Sequence, residues 1–541
     1  MSNKKIFNIL SECSEVIGNL KNKDQKLNGE HIIYKPFFNS LTIKDSETYL
    51  LESLNGSIVN YKDPSFRSHM LNGRIEMRMG HSKKGGSVER KRFFIPRNLE
   101  ENMSKQQIFE ACNDLFWDCA YNLEDRYQRT LGEKNNREKY LYFSKENPSR
   151  FIQKELNFEI DLNPLENDFK KASKNLKRSW IKDIGILFES SKEKRYYVNS
   201  EGSKIFTNSI RKRLMLEIYV IDDKNLVIPY GFQWFGNELS ETPGYGKLIF
   251  EGEKIISKLE KILKSPIQKN GVFPTILDSQ NAGVLFHEGL GHALEGHRMQ
   301  EDEFGNSTNL FKGKLGELIA PEFLDLYDNP TIKDFKGFPL NGYFSYDEEG
   351  VKSQNLKLIE KGILKNYLHS RQSAGYFKIK SNGHCRSEEL NDPCPRMGNI
   401  IVKSSNETTF EKLKEALIIE CEKQGKPYGL FLSGSASGEV VPEESFYNTT
   451  PSNLFRIYTN GKMERVRSAY VVGTPHQTMA NIIQTSNHYQ VFNGYCGAES
   501  GFIPQTEIAP DILIKMLEVN KIPDDCYMKV YESVFDKKSK K

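Results

Sequence analysis

A chain of 541 residues is too long for a single hydrophobic core, so two or three domains are expected. With 38% hydrophobic and 27% charged residues it reads as a soluble globular protein, and the absence of any run of about 18 apolar residues excludes a transmembrane helix and argues against a membrane partner. The 76 basic and 72 acidic residues leave a net charge of only +4, and the basic clusters at 81–92 and 537–541 lack interleaved aromatics or a binding motif, so they read as solvated loop and tail and no nucleic-acid partner is expected.

The N-terminus, MSNKKIFNILSECSEVIGNL, starts basic, but Ser11, Glu12 and Ser14 break its apolar run, so it is not read as a signal peptide. The eight cysteines (Cys13, Cys112, Cys119, Cys385, Cys394, Cys421, Cys496 and Cys526) form no CxxC pair. Without an export signal, the expected state is reduced thiols in the cytoplasm, where a cysteine is free to act as a metal ligand. Apolar residues at helical spacing predict one helix carrying Ile108, Cys112, Leu115, Cys119 and Leu123, and another carrying Leu165, Phe169, Ala172, Leu176 and Trp180. Cys112 and Cys119 fall on that apolar stripe as small core residues. Residues 194–206 read as two strands broken at Asn199–Gly202, and residues 213–231 as strand, Asp-Asp-Lys-Asn turn and strand. A helix with Ile255, Leu259, Ile262 and Leu263 should stop before Pro266, because the residue before a proline disfavours the helical region. SPIQKNG, 265–271, reads as a domain boundary.

After that point strand and hairpin signals dominate. Residues 356–370 turn near Lys361–Gly362, and residues 454–473 turn at Asn460–Gly461, where both residue types tolerate positive φ. PYGLFLSGSASGEV, 427–440, is rich in small residues and reads as a loop or an irregular strand pair. The expected class is α+β: an N-terminal α/β region, then a mostly antiparallel β domain with one histidine-bearing helix near its start.

That helix reads VLFHEGLGHALEGHRM, 284–299, and contains His287, Glu288 and His292 in the spacing HExxxH. Residues four apart on an α-helix lie about 40° apart around the axis, whereas residues five apart lie about 140° apart. An ideal helix therefore cannot bring both imidazoles to one ion. An i→i+5 turn can, and Gly289 and Gly291 between the histidines make such widening sterically easy. A helix built only for packing gains nothing from two glycines there, each costing up to about 1 kcal/mol against alanine. A catalytic zinc needs a third protein ligand and an open position. Glu295, His297 and Cys496 are the candidates, and spacing alone does not choose between His297 and Cys496.

The histidine helix closely resembles that of the TldD/PmbA family of metallopeptidases, whose signature is HExxxH. FKGKLGELIAPEF (311–323), DEEGVKSQNLKLIEKGILKNYLHSR (347–371), SNGHCRSE (381–388), CPRMGN (394–399), CGAESG (496–501) and, in the first half, YYVNSEG (196–202) also look like family blocks, in family order. The likeness covers most of 180–541. It divides the chain into a divergent N-terminal region, 1–180, the rest of the N-terminal α/β part, 181–270, and a C-terminal β-rich metallopeptidase domain, 271–541. The resemblance implies one zinc per chain held by His287, His292 and Cys496, with Glu288 as general base for a zinc-activated water. It implies short or unfolded peptides as substrate, and a homodimer or a heterodimer with a PmbA-like chain that lacks the motif. His297, where an acidic residue is expected after LEG, and Cys385, where an arginine is expected, depart from the pattern. Arg386, Arg396, His476 and His488 are candidates to stabilise the oxyanion. A non-catalytic partner or scaffold subunit with a structural metal is the alternative. The intact Glu288 argues against it, since a structural zinc needs no adjacent carboxylate and has four protein ligands.

Overall fold

Alternating side chains and turn chemistry build two large sheets among the described residues, one in each half of the chain. The computed structural model describes residues 6, 8–13, 15, 35–62, 70–81, 85–96, 100–129, 142–223, 227–300, 309–441 and 446–522; the basic tail at 537–541 and Cys526 lie outside the described residues. The first sheet contains β1 (Lys35–Leu54), β2 (Met70–His81), β3 (Gly85–Pro96), β4 (Ile181–Asn199), β5 (Lys204–Ile221) and β6 (Val227–Gly236). They pair antiparallel in the order β3-β2-β1-β4-β5-β6. A hairpin leaves the end of β1 through Asn55 and Gly56, whose φ values of 52° and 83° suit these two residue types. β4 pairs with β1 from Gly185 to Asn199, so one sheet spans residue 180, the expected edge of the divergent region.

Parity decides what each face of this sheet meets. Leu41, Ile43 and Leu51 on β1, and Ile184, Ile186, Phe188, Tyr196 and Val198 on β4, share the face buried under helices. Helix α1 (Glu101–Arg129) covers one end of that face with Ile108, Cys112, Leu115, Cys119 and Leu123, as their spacing predicts. Helices α2 (Asn163–Leu176) and α3 (Tyr245–Leu263) cover the other end; α3 stops before Pro266, and Trp180 falls in the turn leading to β4.

The opposite face meets the second half of the chain. Arg195 donates to the carbonyls of Asp347 (2.6 Å) and Tyr346 (3.0 Å), and Tyr197 donates to the carbonyl of Glu349 (2.9 Å). Glu348 lies among Lys44 (3.0 Å), Arg195 (3.4 Å) and Arg74 (3.9 Å). Burial alone would raise its pKa, but the three cations hold the carboxyl down at about 2. A depressed carboxylate adds stability above its unfolded pKa, and that stability is lost as pH falls through the folded value. Glu348→Gln should therefore cost about 3 kcal/mol at neutral pH, with the gap to wild type constant above about pH 4.5 and closing toward pH 2. Urea midpoints at pH 7, 5 and 3.5 check this; a gap as wide at pH 3.5 as at pH 7 would contradict it.

The second sheet has β7 (Gly271–Leu277), β8 (Leu324–Asp328), β9 (Leu356–Glu360), β10 (Asn399–Ser404), β11 (Tyr428–Val441), β12 (Phe446–Tyr458), β13 (Ala469–Gly473), β14 (Ile482–Ala498) and β15 (Gly501–Lys521) as its main strands. Most pairs are antiparallel. β7 pairs with both β11 and β15, so β15, β13, β12, β11 and β7 form a closed ring of strands. The expected turns at Lys361–Gly362 and Asn460–Gly461 are present, with φ of 73° at Gly362 and 81° at Gly461. Residues 427–440 differ from the expected loop or strand pair. They form most of the single strand β11, whose register slips once between Ser435 and Ser437, because β12 supplies a ladder along its length. The core of this half surrounds helix α4 (Ser279–Phe286), packed among Leu432, Leu454, Ala509 and Ile512.

A candidate metal centre

Asp278 starts α4 by accepting a hydrogen bond from the Asn281 backbone, and its other oxygen accepts from Gly434 at the kink of β11. The α-helix ends at Phe286, and residues His287–Gly291 form one π turn in which the His292 N–H donates to the His287 carbonyl. This is the i→i+5 widening that the HExxxH spacing requires. Room for it depends on Gly291, where an added Cβ would lie 2.0 Å from Met397 Sδ. Gly291→Ala should destabilise the protein by about 1–3 kcal/mol through overpacking. If that clash is the cause, the double variant with Met397→Ala will lose less than the sum of the two single losses in thermal melts; simple additivity would exclude it.

The widened turn brings His287 Nε2 and His292 Nε2 each to 3.1 Å from Cys496 Sγ, and the three donor atoms lie within 4.8 Å of one another. Cys496 sits near the end of β14, so a strand more than 200 residues away in the chain completes the cluster. Of the three candidates for a third donor, Cys496 meets the histidines. Glu295 lies behind them, accepting from His292 Nδ1 (3.0 Å) and from Arg298 Nε (2.9 Å). His297 turns away to Glu499.

Carboxylates back both imidazoles: Glu507 Oε1 is 3.0 Å from His287 Nδ1, and Glu295 holds His292. Burial alone would lower both histidine pKa values. The Cys496 thiolate and Glu507 reverse this at His287, and Glu295 and Cys496 raise His292 to about 9. Burial would likewise raise the Cys496 thiol, but the two imidazoles hold it well below its ordinary value. Glu288 Oε2 is 3.9 Å from His292 Nε2, and burial raises its pKa. An imidazole pair, a stabilised thiolate and carboxylates fixing the far ring nitrogens form a donor set that fits zinc.

The cluster opens on a cavity of about 1700 Å³ between the two halves, walled by β5, β6 and α3 on one side and by Gln490–Glu499 of β14 and its turn on the other. Of the four oxyanion candidates, Arg386, Arg396 and His488 do not line it. Arg396 is buried and donates to Cys496 Sγ (3.0 Å), to the Cys496 carbonyl (2.7 Å) and to Ser500. Arg386 donates to the Met397 carbonyl and lies over Phe344, and His488 sits half exposed beside Asp511. The His476 side chain lies outside the described residues. Spacing did not reveal Glu507 or the grip of Arg396 on Cys496, because both are remote from the histidine helix in sequence and nothing local marks them.

The fold around these donors has counterparts among known proteins. Residues 270–521 match the model of the PmbA/TldA metallopeptidase C-terminal domain. The chain is 29% identical over 354 residues to metalloprotease MJ0996 of Methanocaldococcus jannaschii, covering 63% of this chain and 72% of that one. It is 24% identical over 409 residues to the zinc metalloprotease TldD homolog of Saccharolobus solfataricus, covering 73% and 84%. The crystal structure of TldE from Thermococcus kodakarensis superposes with a TM-score of 0.63 at 16% identity, over 95% of this chain and all of that one, and shares the fold. Residues 270–521 thus carry a C-terminal domain of the TldD/PmbA type. Among the described residues, no helix is long and apolar enough to cross a membrane.

Proposed function

We propose that the protein is a zinc-dependent peptidase acting on short or unfolded peptides. The observation carrying this reading is the convergence of His287, His292 and Cys496, with Glu288 beside them, on one wall of the large cavity. His287, His292 and Cys496 would hold one zinc, which when bound polarises water and the scissile carbonyl. Glu295 hydrogen-bonds His292 Nδ1 and Glu507 lies 3.0 Å from His287 Nδ1, and each Nε2 faces the thiolate. Arg396 steadies that thiolate and its loop. Glu288, its pKa raised by burial, is suited to take a proton from water and return it to the leaving amine. A thiolate donates more charge than an imidazole, so turnover is expected to be slower than at an all-histidine site.

Substrate would lie along a strand edge. β14 is paired to β15 on one side, and among the described residues its other side pairs only at Thr485–Ser486, leaving Gln490–Ala498 facing the cavity. An extended peptide can add its main chain to such an edge, which selects for unfolded chains and tolerates many sequences. The relation to TldE supports pairing with a second family chain, as a homodimer or with a PmbA-like partner.

The test is cleavage of an unfolded peptide by the zinc-loaded protein, alone and with a PmbA-like chain. Cleavage should stop on chelation and return with zinc. No cleavage in either form would overturn the proposal and favour a non-catalytic subunit.

A further inference from the structure

A second group of mixed donors lies beside the first. His297 comes from the turn Gly296–Met299, Cys394 from the two-residue strand Cys394–Pro395, and Glu499 from the turn joining β14 to β15. One ligand atom from each lies within 4.8 Å of the others. His297 Nε2 is 3.2 Å from Glu499 Oε1, while His297 Nδ1 is buried without a hydrogen-bond partner among the described residues. A buried ring nitrogen with no partner is costly, so this imidazole has coordinating capacity that the protein's own hydrogen bonds do not use.

We propose that His297, Cys394 and Glu499 form a second site for a zinc-like divalent cation. The donor chemistry selects the class: a cysteine sulfur and an imidazole favour zinc and its neighbours over magnesium or calcium, which take oxygen ligands. Three protein donors leave a coordination position open. Three features make this site weaker than the first. Burial and the nearby Glu295 and Glu499 push the Cys394 thiol up to about 12, so a cation must displace its proton. The His297 and Glu499 side chains are 24% and 46% exposed, against 3% and 4% for His287 and His292. Arg298 also holds Glu499, at 2.8 Å, and a cation must compete with it. The same arginine reaches Glu295, which supports His292, so the two sites share a neighbour without sharing a donor.

The test is a zinc titration of the chelator-stripped full chain, repeated with cobalt to read thiolate-to-metal absorption. Wild type should take two equivalents, the second more weakly. Cys394→Ser and His297→Asn should each lose the second equivalent and keep the first, which also shows that they fold. Cys496→Ser should lose the first and keep the second. A wild type with one equivalent that vanishes in Cys496→Ser would overturn this site and leave the proposed peptidase centre standing. A second equivalent unaffected by Cys394→Ser and His297→Asn is adventitious and would also overturn it. A single equivalent lost in Cys394→Ser and kept in Cys496→Ser would support this site and sink the peptidase centre instead.

Discussion

Glu288→Gln should reduce cleavage of an unfolded peptide by about 10²–10⁴-fold, the usual contribution of a positioned general base. The variant should still bind one equivalent of zinc at the histidine turn. The glutamine is close in size and keeps the packing, but it cannot accept the proton that the carboxylate takes. The two effects separate because Glu288 lies outside the His287–His292–Cys496 triad, 3.9 Å from the nearest imidazole nitrogen. Measuring turnover and metal content on one preparation decides the matter. Undiminished turnover would remove Glu288 from the chemistry. Turnover and zinc lost together would make it part of what holds the ion.

Cys496→Ser should have the largest effect on metal content. At the histidine turn, zinc should fall from about one per chain to a small fraction, because a serine hydroxyl replaces the thiolate. Loss of this metal should remove its contribution to stability, so added zinc should raise the melting temperature of the chelator-stripped variant less than that of chelator-stripped wild type. The fold should survive, since Arg396 keeps its bonds to the residue 496 carbonyl and to Ser500. Retained zinc at this turn, read by cobalt substitution as a site without a thiolate ligand, would place the third donor elsewhere. Oxidation of Cys496 should mimic the substitution.

Legibility followed the range of the signal. The α1 stripe from Ile108 to Leu123, the stop of α3 before Pro266 and the turns at Gly362 and Gly461 rest on residues that are neighbours in sequence, and periodicity or turn chemistry reads them directly. The π turn was legible for the same reason, since five-residue spacing with glycines between is a local statement about geometry. The meeting of Cys496 with the histidines was reachable only through resemblance. Glu507 behind His287 was not reachable at all, because strand pairing between distant segments places it there. Arg386 and Arg396 were candidates whose surroundings the sequence did not reveal. Their charge suggested oxyanion binding, yet each guanidinium is buried and donates within the protein, Arg386 to the Met397 carbonyl and Arg396 to Cys496 and Ser500. The strand β11 was misread because small residues weaken a strand signal that its partner β12 restores.

The distance in sequence between the histidine turn and Cys496 also sets a clock on biosynthesis. A ribosome adding about 5–20 residues per second makes the histidines tens of seconds before the cysteine emerges. The ring of strands that fixes the cysteine closes only when β15 reaches β7. During that interval the nascent chain presents two imidazoles without their thiolate, too few donors to retain the ion. Under the proposed zinc site, metal capture would be deferred until the domain is nearly synthesised, and a chain halted before its last strands would be released without zinc at the histidine turn.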